Sequence, residues 1–180
     1  MSGKAGSGKG TISKLLAEKL GYEHISIGEI KRKLAHKMGL TISEFDILGE
    51  KPENKETFDL KYEEYQKNLD VNSKIILDGR MAFFCQPHSF KVFLEITDEE
   101  AARRIFNDKE RLGDEYSSLD DVKNVTIKRN EENVKRFKDL YNIDIIDPNN
   151  FNFIISTKEK SPQQVADEII IAFNEFQKQT

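Results

Sequence analysis

The stretch Gly3-Lys4-Ala5-Gly6-Ser7-Gly8-Lys9 has the spacing G-x-x-x-x-G-K, and Gly10 and Thr11 follow it. Small residues at this spacing let backbone N–H groups wrap a phosphate while the N-terminus of the next helix points at it. Lys9 adds a full charge for the outer phosphates. The hydroxyl that usually comes straight after the lysine is displaced from Gly10 to Thr11, which removes the usual direct Mg²⁺ ligand. Mg²⁺ keeps several waters readily, and can be held by nucleotide phosphates and waters and oriented from further out. Asp78, at the end of the apolar run "IILD", is placed to be that orienting carboxylate.

Moving a phosphoryl group between two anions requires arginines that converge on both, to offset charge and hold the reactants in line. Arg80 follows Gly79 directly at a strand end, the edge where ligands of open α/β sheets gather. Arg129 and Arg136 lie two turns apart and share one helix face. Arg32 sits between Lys31 and Lys33, where a solvated face is the ordinary explanation, and Arg103, Arg104, Lys109 and Arg111 form a further basic group. Cys85 and the pair Phe83-Phe84 are candidates either for a nucleobase pocket or for core packing. The N-K-x-D segment of GTPases is missing, and the tetrad Asp46-Ile47-Leu48-Gly49 lies between helical segments, where a switch motif is not expected.

The elements that carry these residues alternate. "TISKLLAEKLG" is a helix stopped by Gly21, "YEHISI" a strand, and "GEIKRKLAHKMG" a second helix; Thr41 caps a third, with Glu44 three residues on. Residues 46 to 56 read as an irregular connection before the helical "ETFDLKYEEYQKNL". "KIILDGR", "SFKVFLEIT" and "FNFIIST" are strands. A helix begins at Asp98, a long polar helix runs from about Ser118 to Tyr141, and Ser161-Pro162 opens a closing helix. The alternation predicts a three-layer α/β fold with a central parallel sheet.

With 180 residues, 33% of them charged and 37% hydrophobic, one soluble domain is expected. The formal charge of −4 gives no general attraction for nucleic acid. One cysteine and three scattered histidines argue against disulfides and a structural metal. No apolar run approaches ~20 residues, so no membrane span is expected, and the cytoplasm is the default location.

On these motifs the chain resembles the nucleoside monophosphate kinases, and among them the compact, archaeal-type cytidylate kinases. "GKAGSGKGT" is similar to the family's ATP loop, including Gly3, Gly6, Ser7, Gly8, Lys9, Gly10 and Thr11. "ISIGEIKRKLA" resembles its acceptor segment, in which Gly28 turns into a helix and Arg32 reaches the acceptor phosphate. "ILDGR" resembles the strand end whose Arg80 binds the same phosphate. "ARRIFNDKER" resembles the start of a lid, implying that Arg104 and Arg111 meet ATP. "RNEENVKRFKDLYNIDIIDPNNFNFIISTKEKSPQQV" is the most distinctive match, with Arg129 and Arg136 on the family's paired arginines.

The resemblance implies a P-loop fold with a helical acceptor-binding segment at about 29–70 and a lid at about 107–128. It implies transfer of a phosphoryl group from ATP to CMP or dCMP with Mg²⁺, by a monomer whose partners are small nucleotides. Asn133 stands where related bacterial enzymes carry a sugar-binding aspartate, which leaves ribose and deoxyribose both open. Arg80 directly after Gly79, with Gln86 out of register for reading adenine, makes AMP a poorer acceptor than CMP. Other small P-loop kinases and a non-catalytic nucleotide switch remain as alternatives. A phosphate loop hangs from a central strand, yet only Met1 and Ser2 precede Gly3, so the expectation is a longer natural chain that begins with an apolar strand ending in Met1-Ser2.

Overall fold

Short apolar runs make the strands, each too brief to stand without its neighbours. In the computed structural model, which describes residues 1–54, 60–70, 72–108 and 116–179, they form one parallel arrangement. β1 (Ser2–Gly3) pairs with β4 (Val92–Glu95), and β4 pairs with β5 (Phe153–Ser156). β2 (Glu23–Ser26) pairs with β3 (Ile75–Asp78), placing Ser26 opposite Asp78. Met1 joins the two groups: its ammonium donates to the Leu77 carbonyl at 2.8 Å, and the Gly79 N–H donates to the Met1 carbonyl at 3.1 Å. The strand order is therefore β2-β3-β1-β4-β5, with β1 central.

Both faces of the sheet are covered, which is why "VFL" in β4 is buried throughout. Leu94 and Val92 pack against Ile12 and Leu16 of α1 (Lys9–Leu20) and Val165, Ala166 and Ile169 of α8 (Pro162–Gln177). Phe93 points the other way, its ring 4.8 Å from that of Phe151, which borders the Met81, Phe83, Cys85, Phe137 and Ile145 cluster. These are the three layers predicted from the alternation of elements. Cys85 and Phe83 are core residues here and line no part of the main cavity. Leu94 is fully buried, and its replacement by alanine is expected to cost about 2–5 kcal/mol, read as a lower denaturation midpoint at unchanged slope.

Three helices form a layer beside the strand ends: α2 (Ile27–Lys37), α3 (Ile42–Glu50) and α4 (Lys61–Lys67). Thr41 and Glu44 make the anticipated reciprocal cap on α3. The expected irregular connection starts later than Asp46, because Phe45 is buried with Ala35 and Ile42 and draws Asp46 to Glu50 into the same helix; a 3-10 turn then covers Pro52–Asn54. A single-turn helix, α5 (Ala82–Cys85), was not legible in the sequence.

α6 (Asp98–Asn107) and α7 (Leu119–Tyr141) complete the fold. The Ser118 hydroxyl accepts from the Asp121 N–H at the start of α7. Of the range anticipated as a lid, Asn107 ends α6, residues 119–128 belong to α7, and 109–115, with Lys109 and Arg111, lie outside the described residues. Among the described residues no helix is long and apolar enough to cross a membrane.

Candidate active site

The glycine loop leaves β1 at the centre of the sheet edge and is held by backbone contacts that leave no room for side chains. A Cβ on Gly3, at φ +143°, would lie 2.5 Å from the Leu94 carbonyl oxygen, and one on Gly6, at φ +79°, would lie 2.7 Å from that of Ala101. Gly8 is the N-terminal cap of α1, so the helix's free N–H groups open onto the loop. Lys9 Nζ donates to the Gly3 and Lys4 carbonyls at 2.9 and 2.8 Å, closing the loop on itself. Two residues outside the motif brace it: Lys4 pairs with Asp98 at 3.1 Å, and the Ala5 N–H donates to Asn130 Oδ1 at 3.3 Å. Neither carried a signal in the sequence, since each is an ordinary polar residue of a helix.

From this loop a cavity of about 670 Å³ runs along the ends of the strands. Gly6, Gly8, Lys9, Gly10 and Thr11 line one part, with Arg104, Thr157 and Lys160 beside them. Arg104 is held in place by donating to the Thr157 carbonyl at 2.8 Å, the Thr157 hydroxyl at 3.2 Å and Glu100 at 2.8 Å. Gly28, Lys31, Arg32, Asp78, Arg80, Arg129 and Asn133 line the rest. Gly3 and Ser7 lie behind the cavity wall, and Arg136 is buried without lining it. Arg111 lies outside the described residues. Asn133, between the two arginines of α7, donates its side-chain amide to the Arg129 carbonyl.

The electrostatics of the second part centre on Asp46, which the sequence reading set aside. Arg129 donates to its carboxylate at 3.1 Å and Lys31 stands 3.8 Å away, with both ends of the Arg129 pair largely buried. Burial pushes the Asp46 carboxyl up, but Arg129, Lys31, Arg80 and Arg136 outweigh it and hold the group below its ordinary value of 3.8. Lys31 shows the same imbalance from the other side: burial lowers it to about 8, and Arg136, Arg80 and Arg129 add to that against the pull of Asp46. Among the described residues Lys31, Arg80, Arg129 and Arg136 all act on Asp46, a concentration of cations of the kind that suits an anion.

A carboxyl depressed in the folded state contributes stability that is present above its ordinary value and lost as pH falls through the folded value. Acid unfolding monitored below about pH 4 is therefore expected to be shallower in Asp46→Asn than in the parent chain.

Asp78, anticipated as an orienting carboxylate, lies beside the phosphate loop. It is buried, accepts from the Ser26 hydroxyl at 3.0 Å, and its Oδ2 would be 3.9 Å from a Cβ on Gly10. No group of three His, Cys, Asp or Glu side chains able to cage a metal occurs among the described residues. A single carboxylate beside a phosphate loop suits Mg²⁺ that is bound mainly by phosphates and waters.

Comparison with known proteins agrees with this geometry. The AAA domain family matches residues 2–128. A cytidylate kinase of Natronomonas pharaonis is 32% identical, over 98% of this chain and 88% of its own. A protein of Lacinutrix mariniflava named S-adenosylmethionine-dependent nucleotide dehydratase is 34% identical over 94% of this chain, which spans only about a third, 34%, of that relative's length. Among solved structures, shikimate kinase from Acinetobacter baumannii superposes with a TM-score of 0.57 at 20% identity, covering 94% of this chain and 88% of that one.

Proposed function

We propose, from the premise that this chain belongs to the AAA domain family and to the P-loop kinase family that includes the cytidylate kinases, that it transfers the γ-phosphoryl group of ATP to CMP or dCMP, yielding ADP and CDP or dCDP. The observation that carries the reading is one cavity that meets two separate groups of residues of anion-binding type. The phosphate loop lines one part, and the cluster of Lys31, Arg80, Arg129 and Arg136 around Asp46 borders the other. Such an arrangement suits two charged substrates placed end to end.

An oxygen of the acceptor phosphate attacks the γ-phosphorus in line, and the bond to the bridging β-oxygen breaks as ADP leaves. No side chain acts as nucleophile. Loop N–H groups and Lys9 hold the outer phosphates of ATP, Arg104 serves the donor side, and Arg111 is assigned to ATP by resemblance alone. Gly28 and Arg32 receive the acceptor phosphate together with Arg80, while Asn133 lies within reach of the sugar. Arg80, Arg129 and Arg136 offset the charge that spreads over the transferring group. Mg²⁺, where bound, neutralises phosphate charge, and Asp78 orients its waters. Closure of the segment at about 29–70 and of the lid at about 107–128 excludes water and so suppresses ATP hydrolysis. Every group comes from one chain, so a monomer suffices.

The nucleotide named in the dehydratase relative fits the same chemical setting. Initial rates of ADP release with CMP, dCMP, UMP, dUMP and AMP at fixed ATP and Mg²⁺ test the assignment. The expected outcome is fastest turnover with CMP or dCMP. Turnover of a sugar-like alcohol and of none of the nucleotides would sink it.

A further inference from the structure

The proposed reaction accounts for the phosphates of the acceptor but leaves its base unread, and the same cavity contains polar groups that no step above uses. Glu63 and Gln66 of α4 line it, although they are 4% and 2% exposed. Both Glu63 carboxylate oxygens and Gln66 Oε1 are buried without a hydrogen-bond partner. The Tyr141 hydroxyl acts on Glu63 and lowers its carboxyl against the effect of burial, but it makes no hydrogen bond of normal geometry. Leaving acceptors buried and unsatisfied is costly, and a ligand with matching donors would relieve that cost.

Gln66 is not free to present either end of its amide. Its Nε2 donates to the Tyr62 carbonyl at 2.9 Å, which fixes Oε1 as the group left over, and a Cβ on Gly79 would lie 3.0 Å from that oxygen. The oxygen therefore sits against the turn that carries Arg80. Gln86 locks the helix from behind, its Nε2 donating to the Gln66 and Leu69 carbonyls at 2.7 and 3.2 Å. A preset wall of acceptors next to the acceptor-phosphate arginine is thus built into α4.

We infer that Glu63 and Gln66 are the specificity-determining residues for the acceptor base, accepting hydrogen bonds from an exocyclic amino group and so selecting cytosine over uracil. This rests on the nucleoside monophosphate kinase reading. Cytosine offers an amino group where uracil offers a carbonyl oxygen, and a carbonyl facing these acceptors gains no hydrogen bond and meets like partial charge. Burial raises the Glu63 carboxyl, and Tyr141, Lys67 and Lys31 act against that rise.

The test is steady-state kinetics with CMP and UMP on the full chain and on Glu63→Gln, Gln66→Met and Gln66→Glu. The parent chain is expected to favour CMP. Gln66→Met should lower the CMP-to-UMP ratio of kcat/KM by about 10- to 100-fold, mainly through the KM for CMP and with the KM for ATP unchanged, and Glu63→Gln, which keeps one acceptor oxygen, should lower it less. Gln66→Glu, which keeps an acceptor, should retain more of the ratio than Gln66→Met. Thermal melting identifies any variant that fails to fold, and the remaining variants then decide. A ratio within about twofold of the parent in every folded variant, or a parent that turns over UMP as well as CMP, overturns the inference while leaving the kinase reading intact. Absence of turnover with any nucleoside monophosphate overturns the kinase reading itself.

Discussion

Arg80→Ala is expected to lower kcat/KM for the acceptor by about 10²- to 10³-fold while ATP still binds within about twofold of the parent affinity. The size follows from the platform that carries the guanidinium. Arg80 leaves β3 through Gly79, whose N–H donates to the Met1 carbonyl and whose carbonyl accepts from the Ser2 hydroxyl at 3.1 Å. The Ala82 N–H closes the turn onto the Gly79 carbonyl at 3.2 Å, and Met81 beside it is buried in the core. The backbone therefore cannot shift to bring in another donor, and alanine leaves the charge of the transferring group short of one partner. ATP affinity is spared because the phosphate loop stands on β1 and α1. Coupled ADP-release rates and calorimetric ATP titration measure the two quantities. Loss of less than about fivefold would show that Arg80 stands outside the reaction, whereas a chain with no phosphoryl transfer before mutation would be a nucleotide switch.

Lys9→Ala is expected to act on the other substrate, with kcat falling by about 10²- to 10³-fold and ATP binding weakening as well. Lys9 is the first residue of α1, and its ammonium reaches back to the carbonyls of Gly3 and Lys4, at the point where the loop leaves the sheet. A compact ammonium fits between these two carbonyls and can serve a phosphate oxygen within the same loop. Lys9→Arg is not expected to restore activity, because a planar fork cannot occupy the same point. Rescue by arginine to more than about a tenth of the parent rate would count against this account.

Much of this was legible residue by residue. The loop spacing, the Gly21 stop and the Thr41–Glu44 and Ser161 caps rest on interactions between near neighbours in the chain, and each is present; the parallel sheet follows from the alternation of elements, although it joins strands far apart in the chain. The groups placed by resemblance or position, Arg32, Arg80, Arg104 and Arg129 among them, line one cavity. The part played by Asp46 is not legible in the sequence, for an equally physical reason. In sequence it is one polar residue of an ambiguous tetrad, and only the burial of Phe45 in the helical layer turns it toward Arg129, 83 residues away.

Glu63 and Gln66 were passed over in the same way. A glutamate and a glutamine three residues apart on a short charged helix read as solvated, and nothing local announces that the helix lies against α5 with those two side chains turned inward. By itself, then, the sequence determined the phosphate loop, the order of elements and the class of chemistry, because those depend on spacing and on backbone rules that act over a few residues. Only the tertiary structure decided which carboxylate meets Arg129, what braces the loop, and which polar oxygens are buried beside Arg80. Those depend on charge and desolvation among groups that the chain separates and only the packed sheet brings together.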